Sequence, residues 1–373
     1  MLNGIKGVIV LNLRIVVFIP TLTSGGAEKQ AMILTNILQT KYTTFLVIWD
    51  EKQIESKFKQ YIDNNNIQLY PLKGSIFVRF FKLVLFLKEN KINIVFNYLA
   101  SSNFLGAFAG KFAGVSFIIG GIRNAEISSI KLFIQKYIHN YILNFTVFNN
   151  YTGCKNLIEK GFASSKCVVI PNCFEHENEH SLRPLNSPVI IVTLARFVPQ
   201  KDYFTALKTI QYLIINYGFS QSDIKYRIIG YGTLEEQISN WIKELDLQDY
   251  VEVFINPNNA MDLLKESDIF FMTSLFEGTS NSIMEAMSFS LPVVATHAGD
   301  NSYLVEENIN GFLSSIKDFK VLASNLSKLI LDHGLRISLG NNGYQKLYRE
   351  YSANTFRERY FGFVGKMING EEN

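Results

Sequence analysis

Short runs of β-branched and aromatic residues recur along the 373-residue chain, separated by stretches whose apolar positions fall at helical spacing. Ile15–Ile19, Thr44–Trp49, Ile92–Phe96, Phe117–Gly120, Phe145–Phe148 and Cys167–Ile170 read as strands, with helical periods such as Ala27–Gln39 and Phe104–Phe112 between them. After "PNCFEHENEHSLRPLNSP" the alternation begins again, with strands predicted at Val189–Leu194, Lys225–Ile229, Tyr250–Phe254, Asp268–Met272 and Pro292–Ala295. Strand and helix in turn predict an open parallel sheet with crossover helices, here twice over. The polar stretch 174–187, which holds Pro184 and is followed by Pro188, is the predicted linker. The expected organisation is residues 1–174, then 175–352, then a closing segment 353–373 that packs back on the first half. Ligands of such sheets bind beyond the carboxyl ends of the strands, which predicts a site in a cleft between the halves.

Charge divides the chain as sharply as the pattern does. Residues 1–174 hold nineteen Lys and Arg against eight Asp and Glu, a net of +11, whereas the remainder nets −8. The first half is built to meet something anionic. Three cysteines, Cys154, Cys167 and Cys173, are too few for a disulfide framework and read as reduced thiols of a cytosolic protein. Asn12 and Arg14 interrupt the apolar start of the chain, and no small-residue cleavage site follows, so a signal peptide is not expected.

Chemistry-bearing residues gather at the ends of predicted strands. Gly25 and Gly26 sit between the first strand and the first helix, where backbone amides can approach a phosphate or simply turn the chain. No further glycine at dinucleotide spacing and no P-loop lysine accompanies them. Arg196 and Lys201 share the loop after the first strand of the second half, and a fork and a point charge together suit a diphosphate. Gly230 and Gly232 flank Tyr231 after the next strand, allowing close approach of a base or ribose, or a plain turn. In "SLFEGTSNSIMEAMSFSLPVVAT", residues 274–296, Ser280 or Asn281 can cap a helix and present the amides of residues 281–283 to an anion. Glu277 precedes that cap in the loop and is expected to point into the cleft. Glu285 lies a turn inside the helix, where a carboxylate can accept from a ribose diol.

Together these residues resemble the retaining glycosyltransferases of family 4 over nearly the whole chain. Glu277 and Glu285 meet their E-x7-E element, Gly25–Glu28 their "GGAE" loop, and Arg196 with Lys201 their Arg…Lys pair. Asn310–Leu313 ("NGFL") and Pro292–Thr296 ("PVVAT") also fit. The resemblance implies the GT-B fold, an α/β architecture of two Rossmann-like domains facing each other across a donor/acceptor cleft. It implies that Glu285 holds the nucleotide ribose and Glu277 a hydroxyl of the donor sugar, while Arg196 and Lys201 stabilise the leaving diphosphate, assisted by the Gly26 amide. Gly25, Gly26, Gly230, Gly278, Thr279, Ser280, Asn281 and Ser282 would complete the donor pocket, and Tyr98 and Arg123 would stand on the acceptor side. The chain departs from the pattern in three places. "FNYLASSN" offers Tyr98 where a histidine is frequent, Cys173 replaces glycine after Asn172, and Tyr231 stands between Gly230 and Gly232 in place of aspartate. Tyrosine is no neutral-pH base, so no proton transfer is assigned to the Tyr98 loop. Among the histidines, only His297 stands beside the donor stretch.

The implied reaction is transfer of a sugar, with UDP-sugar the favoured donor, to a glycan or lipid-linked acceptor in bacterial surface polysaccharide assembly. No D-x-D occurs, so neither a catalytic metal nor another cofactor is expected. A nucleotide-sugar epimerase of the same fold, or a non-catalytic nucleotide-sugar binder, is the alternative. Nucleic acid is not an expected partner; an anionic membrane is. Residues 75–91 and 131–143 read as helices carrying Arg79, Lys82, Lys131 and Lys136 beside aromatics, which predicts peripheral attachment at the cytoplasmic face of the cell membrane.

Overall fold

The computed structural model describes residues 12–23, 26–50, 54–123, 129–175 and 188–371. Gly25, His176, His180 and nearly all of the expected linker lie outside these residues. The chain divides into two compact units. The first runs to Ile170 and resumes at Arg357, and the second is Pro171–Phe356.

In the first unit a parallel sheet is built from β1 (Arg14–Ile19), β2 (Thr43–Ile48), β3 (Gln68–Pro71), β4 (Ile94–Asn97), β5 (Phe117–Ile122), β6 (Phe145–Phe148) and β7 (Cys167–Val169). Its helices are α1 (Gly26–Gln39), α2 (Ser56–Asn64), α3 (Ile76–Glu89), α4 (Ala100–Ala113), α5 (Ser129–Tyr141) and α6 (Tyr151–Glu159). The strand order is β3-β2-β1-β4-β5-β6-β7. The order reverses between β1 and β4; β1 leads to α1, which begins at Gly26, and the loop after β4 carries Tyr98.

The second unit repeats the plan with β8 (Val189–Leu194), β9 (Ile224–Gly230), β10 (Val251–Ile255), β11 (Ile269–Met272), β12 (Val293–Thr296) and β13 (Gly311–Ser314). Helices α7 (Tyr203–Tyr217), α8 (Glu235–Glu244), α9 (Ala260–Lys265), α10 (Asn281–Ser288), α11 (Asn301–Leu304), α12 (Phe319–Leu331) and α13 (His333–Tyr351) surround it. The order is β10-β9-β8-β11-β12-β13, so the reversal falls between β8 and β11. Ile191, Ile269, Phe271 and Val294 form one side of its core, and Val192, Phe270, Met272 and Val293 the other. Both faces of the strands are buried, as a parallel sheet between helix layers requires.

Helix α14 (Ala353–Asn369) starts in the second unit and from Arg357 onward belongs to the first. There Tyr360 and Phe363 pack edge-on against Phe96, Phe363 also against Phe145, and Phe361 against Tyr42. Two strands, β3 and β13, have no counterpart in the sequence reading. β3 is a four-residue edge strand whose alternate positions are exposed and whose last residue is proline, so it lacks an apolar run. β13 begins at Gly311, where a Cβ would stand 2.1 Å from the Val293 carbonyl oxygen.

A buried polar cluster ties the helices of the first unit to its sheet. Asn103 of α4 accepts from the Gly121 amide at 2.9 Å and donates to the Gly121 carbonyl and to Gln135 of α5. His139 of α5 is fully buried, with Nδ1 2.8 Å from the Thr146 hydroxyl and Nε2 3.0 Å from the Ala163 carbonyl. A carbonyl only accepts, so Nε2 carries the proton and Nδ1 accepts from Thr146. Burial holds the His139 pKa below its ordinary 6.5 despite the Ala163 bond, and Lys166 pushes the same way. Below pH 6.5 the unfolded chain therefore takes up a proton that the folded chain refuses. The stability is present above that pH and is lost as pH falls toward the folded value, with a slope of up to about 1.4 kcal/mol per pH unit. Urea unfolding of the wild type at pH 7.5 and 5.5 should show this loss, and His139→Gln should show a shallower one.

Candidate active site

The loops that follow β8 and β11 stand side by side at the reversal of the second sheet, and a charged group from each meets the other. Lys201, at the end of a short turn (Pro199–Lys201), places Nζ 2.5 Å from Oε1 of Glu277. The two side chains are only 12% and 9% exposed, so water screens the pair weakly. Glu277, expected to point into the cleft, has its carboxylate on the lysine expected to serve the diphosphate.

The backbone around this pair is laced together by contacts more than seventy residues apart in sequence. Thr273 Oγ1 lies 2.9 Å from both the Lys201 and the Asp202 carbonyl oxygens and donates to them. The Leu275 amide donates to the Gln200 carbonyl, and Gln200 Nε2 donates to the Phe276 carbonyl at 2.7 Å. Asp202 has φ 46°, which ends the turn, and its carboxylate caps α7 by accepting from the Thr205 amide and hydroxyl. On the far side of Glu277, Gly299 has φ 55°, and a Cβ there would come 1.9 Å from the Glu277 carbonyl oxygen. Any side chain at 299 would displace Glu277.

Arg196 is exposed, on a loop fixed by its neighbours. Phe197 is buried and edge-on to Tyr203, whose hydroxyl donates to the Ala195 carbonyl at 2.9 Å. The Phe197 amide donates to Tyr231, and its carbonyl accepts from Leu234. Gly230 and Gly232 are accounted for by the same contact. A Cβ at 230 would lie 1.9 Å from the Ala195 oxygen, and one at 232 would lie 2.5 Å from the Phe197 oxygen. The glycines let the backbone on either side of Arg196 settle against the β9–α8 turn, whatever a ligand then requires of them.

Ser280 is the cap of α10, its hydroxyl accepting from the Ile283 amide at 3.4 Å. Of the three amides expected to be presented by residues 281–283, that of Ile283 is thus already engaged. Ser282 Oγ stands 3.2 Å from Ser280 Oγ, Asn281 is exposed, and Gly278 and Thr279 are half-buried in the loop ahead of the cap. Glu285 is half-buried one turn into the helix. His297 is exposed after β12. Nearby, Thr296 donates to the Ser274 carbonyl and Asn301 Nδ2 to the Thr296 carbonyl, which fastens the 297–301 loop to the segment leading to Glu277.

In the first unit the structure brings together the two residues assigned to the acceptor side. The Arg123 guanidinium sits 4.1 Å above the Tyr98 ring, a cation–π contact. Tyr98 is 2% exposed and is followed by Leu99 at φ 75°, an uncommon conformation for a branched residue, which turns the chain into α4. Gly26 is exposed at the start of α1.

Sequence reasoning missed Thr273, Gln200 and Gly299. The glycine four residues past the predicted 292–295 strand was a signal for the last. Nothing local in the chain marks the other two, whose partners are set only by folding.

Residues 174–346 match the family profile described as glycosyl transferases group 1. The chain is 23% identical, over 87% of its length and 92% of the relative's, to a Campylobacter jejuni N-acetylgalactosamine-N,N'-diacetylbacillosaminyl-diphospho-undecaprenol 4-alpha-N-acetylgalactosaminyltransferase. It is 24% identical, over 68% of its length and 70% of the relative's, to an Escherichia coli UDP-Gal:alpha-D-GlcNAc-diphosphoundecaprenol alpha-1,3-galactosyltransferase. Among solved structures, Anabaena HepE in complex with UDP superposes with a TM-score of 0.79 at 16% identity, over 95% of this chain and 100% of that one. Twin parallel sheets of reversed strand order and the likeness to that solved structure give the chain the GT-B fold, and its residues 174–346 are similar to the group 1 glycosyl transferases.

Proposed function

We propose that the protein is a retaining, metal-independent glycosyltransferase that moves a sugar from a nucleotide-diphosphate sugar, UDP-sugar in the first instance, to a lipid-linked glycan. The setting would be bacterial surface polysaccharide assembly at the cytoplasmic face of an anionic membrane. The relatives named above act on diphospho-undecaprenol-linked sugars, which supports the acceptor class. The observation that carries the reading is the Lys201–Glu277 pair beside the Ser280-capped helix that bears Glu285.

In this reading the diphosphate enters beside Lys201, the exposed Arg196 and the start of α10, and Lys201 exchanges its carboxylate partner for a phosphate oxygen. Glu277, released, accepts from a hydroxyl of the donor sugar, and Glu285 from the ribose. The bond between the anomeric carbon and the diphosphate breaks while the acceptor oxygen bonds the same face of that carbon. The acceptor proton passes to the departing diphosphate, so no protein base is required. Charge grows on the diphosphate as the bond breaks, and fixed cations there lower the barrier. When the sugar has left, the Glu277 carboxylate is again free to pair with Lys201, which favours departure of the nucleoside diphosphate.

Incubation with a panel of UDP-sugars and a polyprenyl-diphosphate glycan should release UDP and lengthen the glycan. Binding without turnover would reduce the protein to a nucleotide-sugar sensor. Lys201→Ala or Arg196→Ala should lower kcat on the order of 10²-fold. Glu277→Gln should act in two directions at once. Transfer falls, yet free UDP binds roughly tenfold more tightly, because an uncompensated Lys201 charge awaits it. Calorimetric UDP affinity that is unchanged or weaker in this variant would end the exchange mechanism. Thr273→Val strips a hydroxyl from two carbonyls beside Lys201 and should lower kcat about tenfold with little change in KM, whereas Thr273→Ser should retain activity. Excess EDTA should leave turnover intact. Its loss, with recovery on adding Mg²⁺ or Mn²⁺, would mean that a metal rather than Lys201 and Arg196 neutralises the diphosphate.

A further inference from the structure

Helices α3, α4 and α5 lie side by side in the first unit, and each turns a second apolar stripe to the outside. On α3 the stripe is Phe77, Phe81 and Leu85, exposed by 78%, 64% and 53%. On α4 it is Phe104, Phe108 and Phe112, and on α5 Phe133, Tyr137 and Tyr141, each at spacing i, i+4, i+8. Ring contacts join the α3 stripe to that of α4 and run within those of α4 and α5. Phe80 meets both Phe81 and Phe112, and the Phe104–Phe108 and Tyr137–Tyr141 rings meet at a tilt. The opposite side of α3, with Leu83, Phe86 and Leu87, is buried in the core. Large exposed apolar faces mark an interaction surface.

The cations sort themselves in a way the sequence did not reveal. Arg79, expected at lipid headgroups, is turned inward, 3.3 Å from Asp50 and over the Trp49 ring. Lys136 is half-buried and lies against Gly161. Lys73, Lys82, Lys88, Lys91, Lys111 and Lys131 remain exposed. From Lys73 to Tyr141 the chain carries nine Lys and Arg against two acids, Glu89 and Glu126.

We propose that the α3–α4–α5 face seats in the interfacial layer of an anionic lipid bilayer, with its three stripes in the acyl boundary and the exposed lysines at the headgroups. This deepens, and rests on, the reading of a lipid-linked acceptor met at a membrane. A second copy of the chain would bring two such basic surfaces together, which repulsion opposes, whereas an anionic bilayer complements them. No helix among the described residues is long and apolar enough to cross a membrane. At 14 residues, α3 is about 21 Å long against roughly 30 Å of hydrocarbon, so it lies along the surface. With two of the cations engaged by the protein, apolar insertion is the larger contribution, and attachment survives salt that screens the lysines.

The test is co-sedimentation with vesicles of phosphatidylglycerol and of phosphatidylcholine, at low salt and at high salt. The full chain should bind phosphatidylglycerol vesicles in both salts, more strongly in the lower, and phosphatidylcholine more weakly. The triple variant Phe77→Ser, Phe81→Ser, Phe112→Ser should lose roughly tenfold or more of this binding, with its melting temperature and UDP affinity unchanged. Lys82→Gln with Lys131→Gln should mainly flatten the salt dependence. Failure of the wild type to bind phosphatidylglycerol vesicles, or equal binding by the triple variant, overturns the proposal. So does a wild-type dimer that ignores vesicles and that the triple variant makes monomeric. UDP release with a water-soluble acceptor, followed in parallel, tells the failure of this surface from failure of the proposed reaction.

Discussion

A carboxylate and an ammonium group, both largely withdrawn from water, meet where the strand order of the second sheet reverses. Withdrawing either partner would leave a buried, uncompensated charge, at a cost of about 3–5 kcal/mol. The surrounding architecture serves to hold the two carriers at that distance. Thr273 and Gln200 sew the β8 loop to the β11 loop, and Asp202 in a left-handed conformation ends the turn that lifts Lys201 into place. Gly299 leaves room for the Glu277 backbone on the other side. Lys201 is thereby held against a partner that is itself a hydrogen-bond acceptor.

The first unit solves a different problem with similar economy. Its helices α4 and α5 are bolted to β5 and β6 by amides and an imidazole, Asn103, Gln135 and His139, all satisfied by short bonds within the core. That internal anchoring leaves the outer stripes of the helices unneeded for folding. Apolar surface that the core does not use is costly in water, and at this density it points to a contact rather than to chance.

The cysteines illustrate how packing decides chemistry. Cys154 and Cys167 form no disulfide, and the neighbouring Cys154 together with burial pushes the Cys167 thiol up, so it stays protonated and a poor nucleophile. Tyr203 and Tyr226 are likewise raised by burial, and Tyr203 spends its hydroxyl on the Ala195 carbonyl next to Arg196. Groups that look reactive in the sequence are here structural fasteners.

The parallel fold was legible because strands buried on both faces leave continuous apolar runs, and every run named from the sequence overlaps a strand of the structure. β3 and β13 escaped because an exposed edge and a glycine start carry no such run. Glu277, Lys201 and Arg196 could be picked out as charged residues in loops after strands, where a sheet of this kind presents its ligands, and Glu285 as a carboxylate one turn into the helix that follows. That Glu277 holds Lys201 could not be, since an ion pair between residues 76 positions apart exists only once β8 and β11 are neighbours. The same holds for Arg79, whose charge reads as surface until Asp50 and Trp49 are brought to it. Sequence alone determined which residues are apolar, charged or turn-forming, because those are local properties. Only the tertiary structure decided which charges meet, which stay open and which apolar face is left uncovered, because each depends on distances that folding sets.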